Sequence, residues 1–245
     1  MKTVLITGGS SGIGQAVALQ ASQKGWHVLV GYDQGQERAQ RIVDAFHTAG
    51  GKADAVHLPL KDPARMDQSL SLLSTSGRTI HALVLSASPR PVLASFLKTK
   101  SEEFLDQFIV NVVGHHHLLM EVWKRFFRNQ GEGHVIALLS AAVGAPPWPH
   151  MTAYVTAKRA LQGMIECALS ELSGNGLRAT LVSPDYTETP MLLNVEPRIL
   201  EAARAKRPAG KFLSPKEVGA AIAHHLENPP SPGVSPEWLT IEPSR

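Results

Sequence analysis

Short apolar, β-branched runs alternate along the chain with longer stretches in which apolar residues recur at helical spacing. Segments 2–7, 27–32, 53–58, 81–86, 134–140 and 177–183 read as strands. Their centres (VLI, LVL, VIALL) are nearly continuous in apolar residues, the pattern of parallel strands covered on both faces. Helical periodicity falls near 12–24, 35–49, 63–76, 101–129 and 152–173, and again over 215–227. The last of these starts at Ser214-Pro215, an N-cap residue followed by proline at the first helical position. A short run at 238–241 suits a closing edge strand. This alternation predicts an α/β fold: a doubly wound parallel sheet flanked by helices on both faces, with ligand at the carboxyl ends of the strands. The proline-rich pieces at 146–149 and 229–236 are too short to tether domains, so residues 1–245 are expected to form a single domain.

Composition narrows the function. Hydrophobic residues make up 43% of the chain, enough for a sizeable core, and 24 Lys and Arg face 21 Asp and Glu for a net charge of +3. The basic residues are scattered, so no nucleic-acid partner is expected. No apolar run reaches the roughly 18 residues of a membrane helix, and MKTVLITGG is too short an apolar stretch for a signal-peptide core. Cys167 is the one cysteine and has no internal partner. A cytoplasmic protein is the expectation.

Directly after the first strand stands Thr7-Gly8-Gly9-Ser10-Ser11-Gly12-Ile13-Gly14, leading into a helical run. A tight strand-to-helix turn needs residues tolerant of positive φ. A bound pyrophosphate needs close backbone approach, so that amides at the helix start can hold its charge. A plain glycine-rich turn has the same letters, but the place after an N-terminal strand favours nucleotide binding. The spacing Gly-x3-Gly-x-Gly resembles the signature of the short-chain dehydrogenase/reductase family in its roughly 250-residue form, and the resemblance runs over nearly the whole chain. It implies a Rossmann-like fold, NAD or NADP as cofactor, and hydride transfer between nicotinamide and a carbonyl or alcohol substrate.

Tyr154-Val155-Thr156-Ala157-Lys158 puts a phenol and an ammonium four residues apart, on one face of a helix. A free phenol has a pKa near 10, and a nearby ammonium favours the phenolate. Acidifying it to about 7 takes around 4 kcal/mol, which two close cations, the lysine and the nicotinamide ring, are expected to supply. Tyr154 would then exchange a proton with the substrate oxygen. Ser140 ends the preceding strand, where a hydroxyl can hold that oxygen. The family's serine most often lies thirteen positions before the tyrosine; here the spacing is fourteen, with Ala141 at the commoner position. Asn111 matches the family's helical asparagine, whose backbone carbonyl holds a water linking the lysine to solvent. The resemblance thus implies a catalytic set of Asn111, Ser140, Tyr154 and Lys158. It also implies that Pro184, Thr187 and Thr189, in the segment after strand six, hold the carboxamide of nicotinamide.

Three positions on the cofactor side depart from the family. Where relatives carry Asn-Asn-Ala-Gly after strand four, this chain has Leu85-Ser86-Ala87-Ser88. Ala87 survives, and Ser86 retains hydrogen-bonding capacity. The adenine-contacting aspartate aligns with Pro59, and Pro184 is followed by Asp185 instead of glycine. At the end of strand two the ribose-binding position falls on Tyr32, with Asp33 next and Arg38 the nearest downstream arginine. An acid there favours NAD and a base NADP, so the choice stays open.

Other features read as bland. His115-His116-His117 cannot converge on one ion, since consecutive helical residues point about 100° apart; helix-surface or interface packing is expected, and no metal. Arg125, Arg128, Arg204 and Arg207 read as solvated surface, and Cys167 as a small core residue. The amphipathic stretch 191–212 is expected to cap the substrate, with Ser88, Pro89, Arg90, Trp148, Tyr186, Met191 and Leu192 lining the pocket. Relatives are usually tetramers or dimers, so a homotetramer or homodimer is expected, with Phe104, Phe108, Leu119, Trp123 and Phe127 suited either to that interface or to the core. The competing reading keeps the fold without the chemistry: a nucleotide-sensing or regulatory protein. A loose likeness of Ser-Ala-Ser-Pro to pteridine reductases carries little weight, because Ser11 lacks the arginine expected there.

Overall fold

A computed structural model describes residues 1–193 and 195–243. Its strands are β1 (Thr3–Thr7), β2 (His27–Tyr32), β3 (Lys52–His57), β4 (Ala82–Leu85), β5 (Gly133–Leu138), β6 (Leu177–Pro184) and β7 (Glu237–Ile241). They form one parallel sheet in the order β3-β2-β1-β4-β5-β6-β7. The order reverses between β1 and β4, which opens a crevice at their carboxyl ends. Every residue of β1, β4 and β5 is buried, which accounts for their unbroken apolar runs. β7 instead alternates half-buried and exposed residues, as an edge strand does. The expected order and type of these strands hold, with ends moved by one or two residues.

Helices α1 (Gly12–Gln23), α2 (Gln36–Thr48) and α3 (Pro63–Thr75) follow β1, β2 and β3 in turn. The helical stretch after β4 is one rod made of α4 (Ser101–Phe108), α5 (His115–Val122) and α6 (Arg128–Gln130). π-helical turns, Ile109–Gly114 and Trp123–Phe127, join its parts. The chain continues with α7 (Thr152–Leu172), α8 (Pro197–Ala205) and α9 (Pro215–Glu227). At the start of α9, Ser214 and Glu217 form a reciprocal capping box with Pro215 at the first position.

Two apolar clusters sandwich the sheet. One joins Leu5, Leu83, Leu85 and Leu181 to Leu118, Phe127 and Leu161 of the rod and α7. The other joins Val4, Val28, Val84 and Val182 to Val17, Ile42 and Ile222 of α1, α2 and α9. Successive residues of one strand thus feed opposite layers, as the period-two geometry of a strand requires. Leu119 and Phe127 belong to this core, whereas Leu105, Ile109 and Val113 are exposed at four-residue intervals along the rod. No helix among the described residues is long and apolar enough to cross a membrane.

Candidate active site

The glycine loop closes the β1–α1 junction as its composition demands. Gly8 adopts φ +63°, and a Cβ there would lie 3.1 Å from the Ala87 backbone. A Cβ on Gly14 would come within 2.3 Å of the Gly8 carbonyl oxygen. Gly14 therefore packs beneath the loop, while Gly8, Ser10, Ser11, Gly12 and Ile13 line a hollow of ≈ 550 Å³. At the N-cap of α1, Ser11 makes no side-chain capping bond, and the first turn holds no acid. Its free amides and helix dipole fit an anionic group.

On the far side of the β1–β4 crevice, the Thr7 hydroxyl accepts from the amides of Ser86 (2.9 Å) and Ala87 (3.0 Å). That clamp holds the altered turn without the asparagine of relatives. Thr7 in turn lies 3.2 Å from Nε2 of His115, whose Nδ1 is 3.3 Å from the Asn111 carbonyl oxygen. Burial pushes the His115 pKa down to about 3, helped by the charge of Lys158, so the ring is neutral. A carbonyl only accepts, so Nδ1 carries the proton and Nε2 is an acceptor facing the Thr7 hydroxyl, which also donates toward the Val84 carbonyl oxygen at 3.3 Å. His115 is thus fully buried, correcting its expected place on the surface or at an interface. Asn111 is also fully buried and donates to the Gln107 carbonyl (3.0 Å) and Oε1 (2.9 Å), inside the π-helical turn. Such turns interrupt the regular helical hydrogen-bond ladder.

Tyr154 and Lys158 lie on the buried face of α7, and both line the same hollow as the glycine loop. Ser140 borders the same hollow, and its Oγ accepts from the Ala142 amide at 3.1 Å. Lys158 Nζ donates to the Leu138 carbonyl at 2.7 Å and sits 5.8 Å from the centroid of the Tyr154 ring. Burial raises the pKa of Tyr154, with Ser140 opposing, and lowers that of Lys158 to about 7. The expected acidification of the phenol involves two cations, the lysine and the nicotinamide ring of a bound cofactor; burial opposes it. In the protein alone the Tyr154 hydroxyl keeps its proton at neutral pH, and desolvation weakens the cation meant to remove it. The sequence places the lysine but carries no measure of how dry the site is.

Pro184, Thr187 and Thr189 line the hollow from the β6 side. Thr189 reaches the glycine loop, where a Cβ on Gly12 would meet it at 3.5 Å. The expected pocket residues Ser88, Pro89, Arg90, Trp148, Tyr186, Met191 and Leu192 all border this same hollow. Of the cofactor and catalytic positions expected from sequence, only Gly14 and Asn111 stand behind its wall. The capping stretch includes Asn194, which lies outside the described residues. At the other end, Tyr32, Asp33, Gln34 and Arg38 line the hollow beside Leu58, Leu60 and Lys61, where the ribose is expected. The nearby acid Asp62 accepts the Arg65 amide as N-cap of α3.

Sequence reasoning missed four residues. His115 was hidden in its histidine triplet. Arg207, expected on the surface, makes a two-pronged ion pair with Asp185, each side chain 12% exposed. An uncompensated acid in place of glycine was its available signal. Arg125 pairs with Glu121, and Cys167 is exposed instead of buried. Among the described residues no group of His, Cys, Asp and Glu is arranged to hold a metal.

The model of the short chain dehydrogenase family matches residues 2–199. The chain belongs to that family. Among curated relatives, 3-oxoacyl-(acyl-carrier-protein) reductase FabG of Thermotoga maritima is 29% identical over 222 residues, 90% of this chain and 88% of the relative. Cyclohexanol dehydrogenase of an Acinetobacter species is 29% identical over 228 residues, 93% of this chain and 88% of the relative. Among solved structures, a putative gluconate dehydrogenase from Agrobacterium tumefaciens superposes with a TM-score of 0.88 at 20% identity, covering 98% of this chain and 94% of its own. A short chain dehydrogenase from Burkholderia cenocepacia in complex with NADP gives 0.84 at 24%, covering 98% and 96%. The protein is accordingly an NAD(P)-dependent oxidoreductase with a Rossmann-like fold.

Proposed function

We propose that this enzyme reduces a carbonyl compound to an alcohol, with Tyr154 as the proton donor to the carbonyl oxygen. The observation that carries this is the meeting of buried Tyr154 with Ser140 and Lys158 on the lining of the hollow that begins at the glycine loop. When bound, the nicotinamide dinucleotide supplies hydride to the carbonyl carbon. Tyr154 delivers the proton, Ser140 orients the oxygen, and Lys158 holds its Nζ where a proton can return to the phenolate. Asn111 stands behind Lys158 as the expected carbonyl of a water relay. The reverse oxidation uses the same groups with the phenolate as base.

The dinucleotide would be held by Gly8, Ser10, Ser11, Gly12 and Ile13 at its pyrophosphate, and by Pro184, Thr187 and Thr189 at nicotinamide. Ser86 and Ala87 border it at the crevice. Tyr32 and Asp33 face the ribose. Arg38 curls back over the loop after β2, its Nη2 3.5 Å from the Gln34 carbonyl oxygen, and offers a cation to a 2′-phosphate. NADPH is therefore the preferred reductant in this reading, and the thermal shifts given by NAD, NADH, NADP and NADPH test it. The sensor alternative draws on the altered adenine side and β4 turn, whereas the gathering of Ser140, Tyr154 and Lys158 on one hollow supports the enzyme. Residues 1–245 act as one unit, capped by 191–212. The apolar stripe Leu105, Ile109, Val113 suits a homodimer or homotetramer, and a monomer mass by light scattering would count against that. The direct test is oxidation of NADPH by the purified protein across a panel of ketones and aldehydes; binding of dinucleotide without turnover of any would favour the sensor.

A further inference from the structure

Three buried polar side chains, Gln107, Asn111 and His115, stand at four-residue intervals along the rod. They are joined end to end. Gln107 Oε1 accepts from Asn111 Nδ2 (2.9 Å), and the Asn111 carbonyl oxygen accepts from His115 Nδ1 (3.3 Å). Each end of this stripe then reaches the loop that leaves β4. Gln107 Nε2 donates to the carbonyls of Pro89 (3.4 Å) and Arg90 (3.1 Å). Those two acceptors fix the amide with its nitrogen toward the loop. His115 Nε2 faces the Thr7 hydroxyl (3.2 Å), which accepts from the Ser86 and Ala87 amides. Rod, Thr7 and loop thus close a ring of hydrogen bonds around residues 86–90. Within the stripe only Asn111 Oδ1 is without a partner among the described residues.

The loop held by this ring borders the hollow along its whole length, from Ser86 to Arg90. Ala87 also lies hard against the glycine loop, where a Cβ on Gly8 would come within 3.1 Å of its backbone. A slack loop would shift into the space where the dinucleotide is expected. Its own side chains add little anchorage, since the Ser88 hydroxyl donates to the adjacent Pro89 carbonyl. The anchorage comes from the rod instead. Polar groups in a core are costly unless paired, and a paired network fixes one arrangement of the segments it joins.

We infer that Gln107 and His115 are positioning residues for the dinucleotide, holding the β4 exit loop from behind at its two ends. The inference rests on the family's cofactor and on no step of the carbonyl reaction. Because the bonds form one ring, opening it at either end releases the same loop.

The test is calorimetric titration of the full-length protein with NADPH and NADH, alongside thermal unfolding of each variant. Gln107→Met keeps the length of the side chain and loses both donors; His115→Leu loses both ring nitrogens. Each is expected to weaken the better-bound dinucleotide by about tenfold, the worth of one net hydrogen bond read as affinity. The double variant is expected to lose less than about thirtyfold, short of the roughly hundredfold of independent sites. His115→Gln, which keeps a polar end toward Thr7, is expected to bind within about threefold of wild type. Leu118→Ala opens a cavity in the apolar core beside the same rod. It is expected to lower the melting temperature yet leave affinity within about twofold. Wild-type affinity in both single variants, losses that multiply in the double variant, no rescue by His115→Gln, or an equal loss in Leu118→Ala overturns the inference. So does a wild type that binds neither dinucleotide. If His115→Leu does not fold, Gln107→Met and Leu118→Ala decide. Because no hydride moves in this titration, a protein that binds as expected but reduces no carbonyl defeats the catalytic reading alone.

Discussion

The buried Lys158 should write itself into the pH dependence of folding. Its side chain is 2% exposed, and burial lowers its pKa from the ordinary 10.5 to about 7. The unfolded chain therefore binds more protons than the folded one between these values, so stability rises with pH across that window. The folded site is half-protonated at pH 7 and essentially neutral at pH 9. Integrating the proton difference over those two units gives about 2 kcal/mol, or roughly 4–8 °C in melting temperature for a chain of this length. Other buried groups leave the window clear. His81, His115 and His134 are all lowered from 6.5, so they act below it. Tyr154 is raised from 10.0 and acts above it. Calorimetry of the cofactor-free protein at pH 7, 8 and 9 should show the rise, and Lys158→Met should flatten it. A flat wild-type profile, or the same slope in the variant, refutes the desolvation argument and with it the protonated phenol in the unliganded site.

Further outcomes follow from other contacts. Gly14→Ala drives a methyl group against the Gly8 carbonyl, so the thermal shift given by either dinucleotide should vanish while circular dichroism reports a folded α/β protein about 1–3 kcal/mol less stable. Arg38→Ala should weaken NADPH by about tenfold and NADH by less than about twofold in fluorescence titration, the loss of one charge-assisted contact. His115→Leu removes hydrogen bonds to Thr7 and Asn111 and should lower stability by roughly 1–2 kcal/mol at pH 7. The folded pKa of His115 lies below its unfolded value, so its contribution to stability is present above pH 6.5 and lost as pH falls toward 3. Acid titration should therefore destabilise this variant less steeply than the wild type.

Much of this fold is legible because a parallel sheet leaves a plain mark. Strands covered on both faces are mostly apolar, so VLI and VIALL stand out, and the glycines of the first turn are dictated by backbone approach. The helical pair Tyr154 and Lys158 is legible for the same local reason, a fixed spacing on one helix face. What stayed hidden depends on contacts between distant segments. Nothing near Arg207 announces Asp185, twenty-two positions earlier, and a solvated arginine has the same letter as a paired one. His115 sits in a triplet whose other members, His116 and His117, are exposed or half-buried, so its burial is a property of the rod's packing against β1. The state of the phenol depends on dryness, which three segments create together. The family's pattern suggested an acidified tyrosine, and the folded site holds the opposite until cofactor is considered.

The central claim is that the Tyr154 hydroxyl gives its proton to the substrate oxygen. Its most direct test is Tyr154→Phe, assayed by reduction of the best ketone found and by calorimetric titration of dinucleotide. The account predicts a fall in kcat of about 10²–10⁴-fold, the usual share of a general acid, with dinucleotide affinity within about threefold of wild type, since one buried hydroxyl is a minor part of that contact. A variant that retains wild-type kcat while binding dinucleotide normally contradicts it.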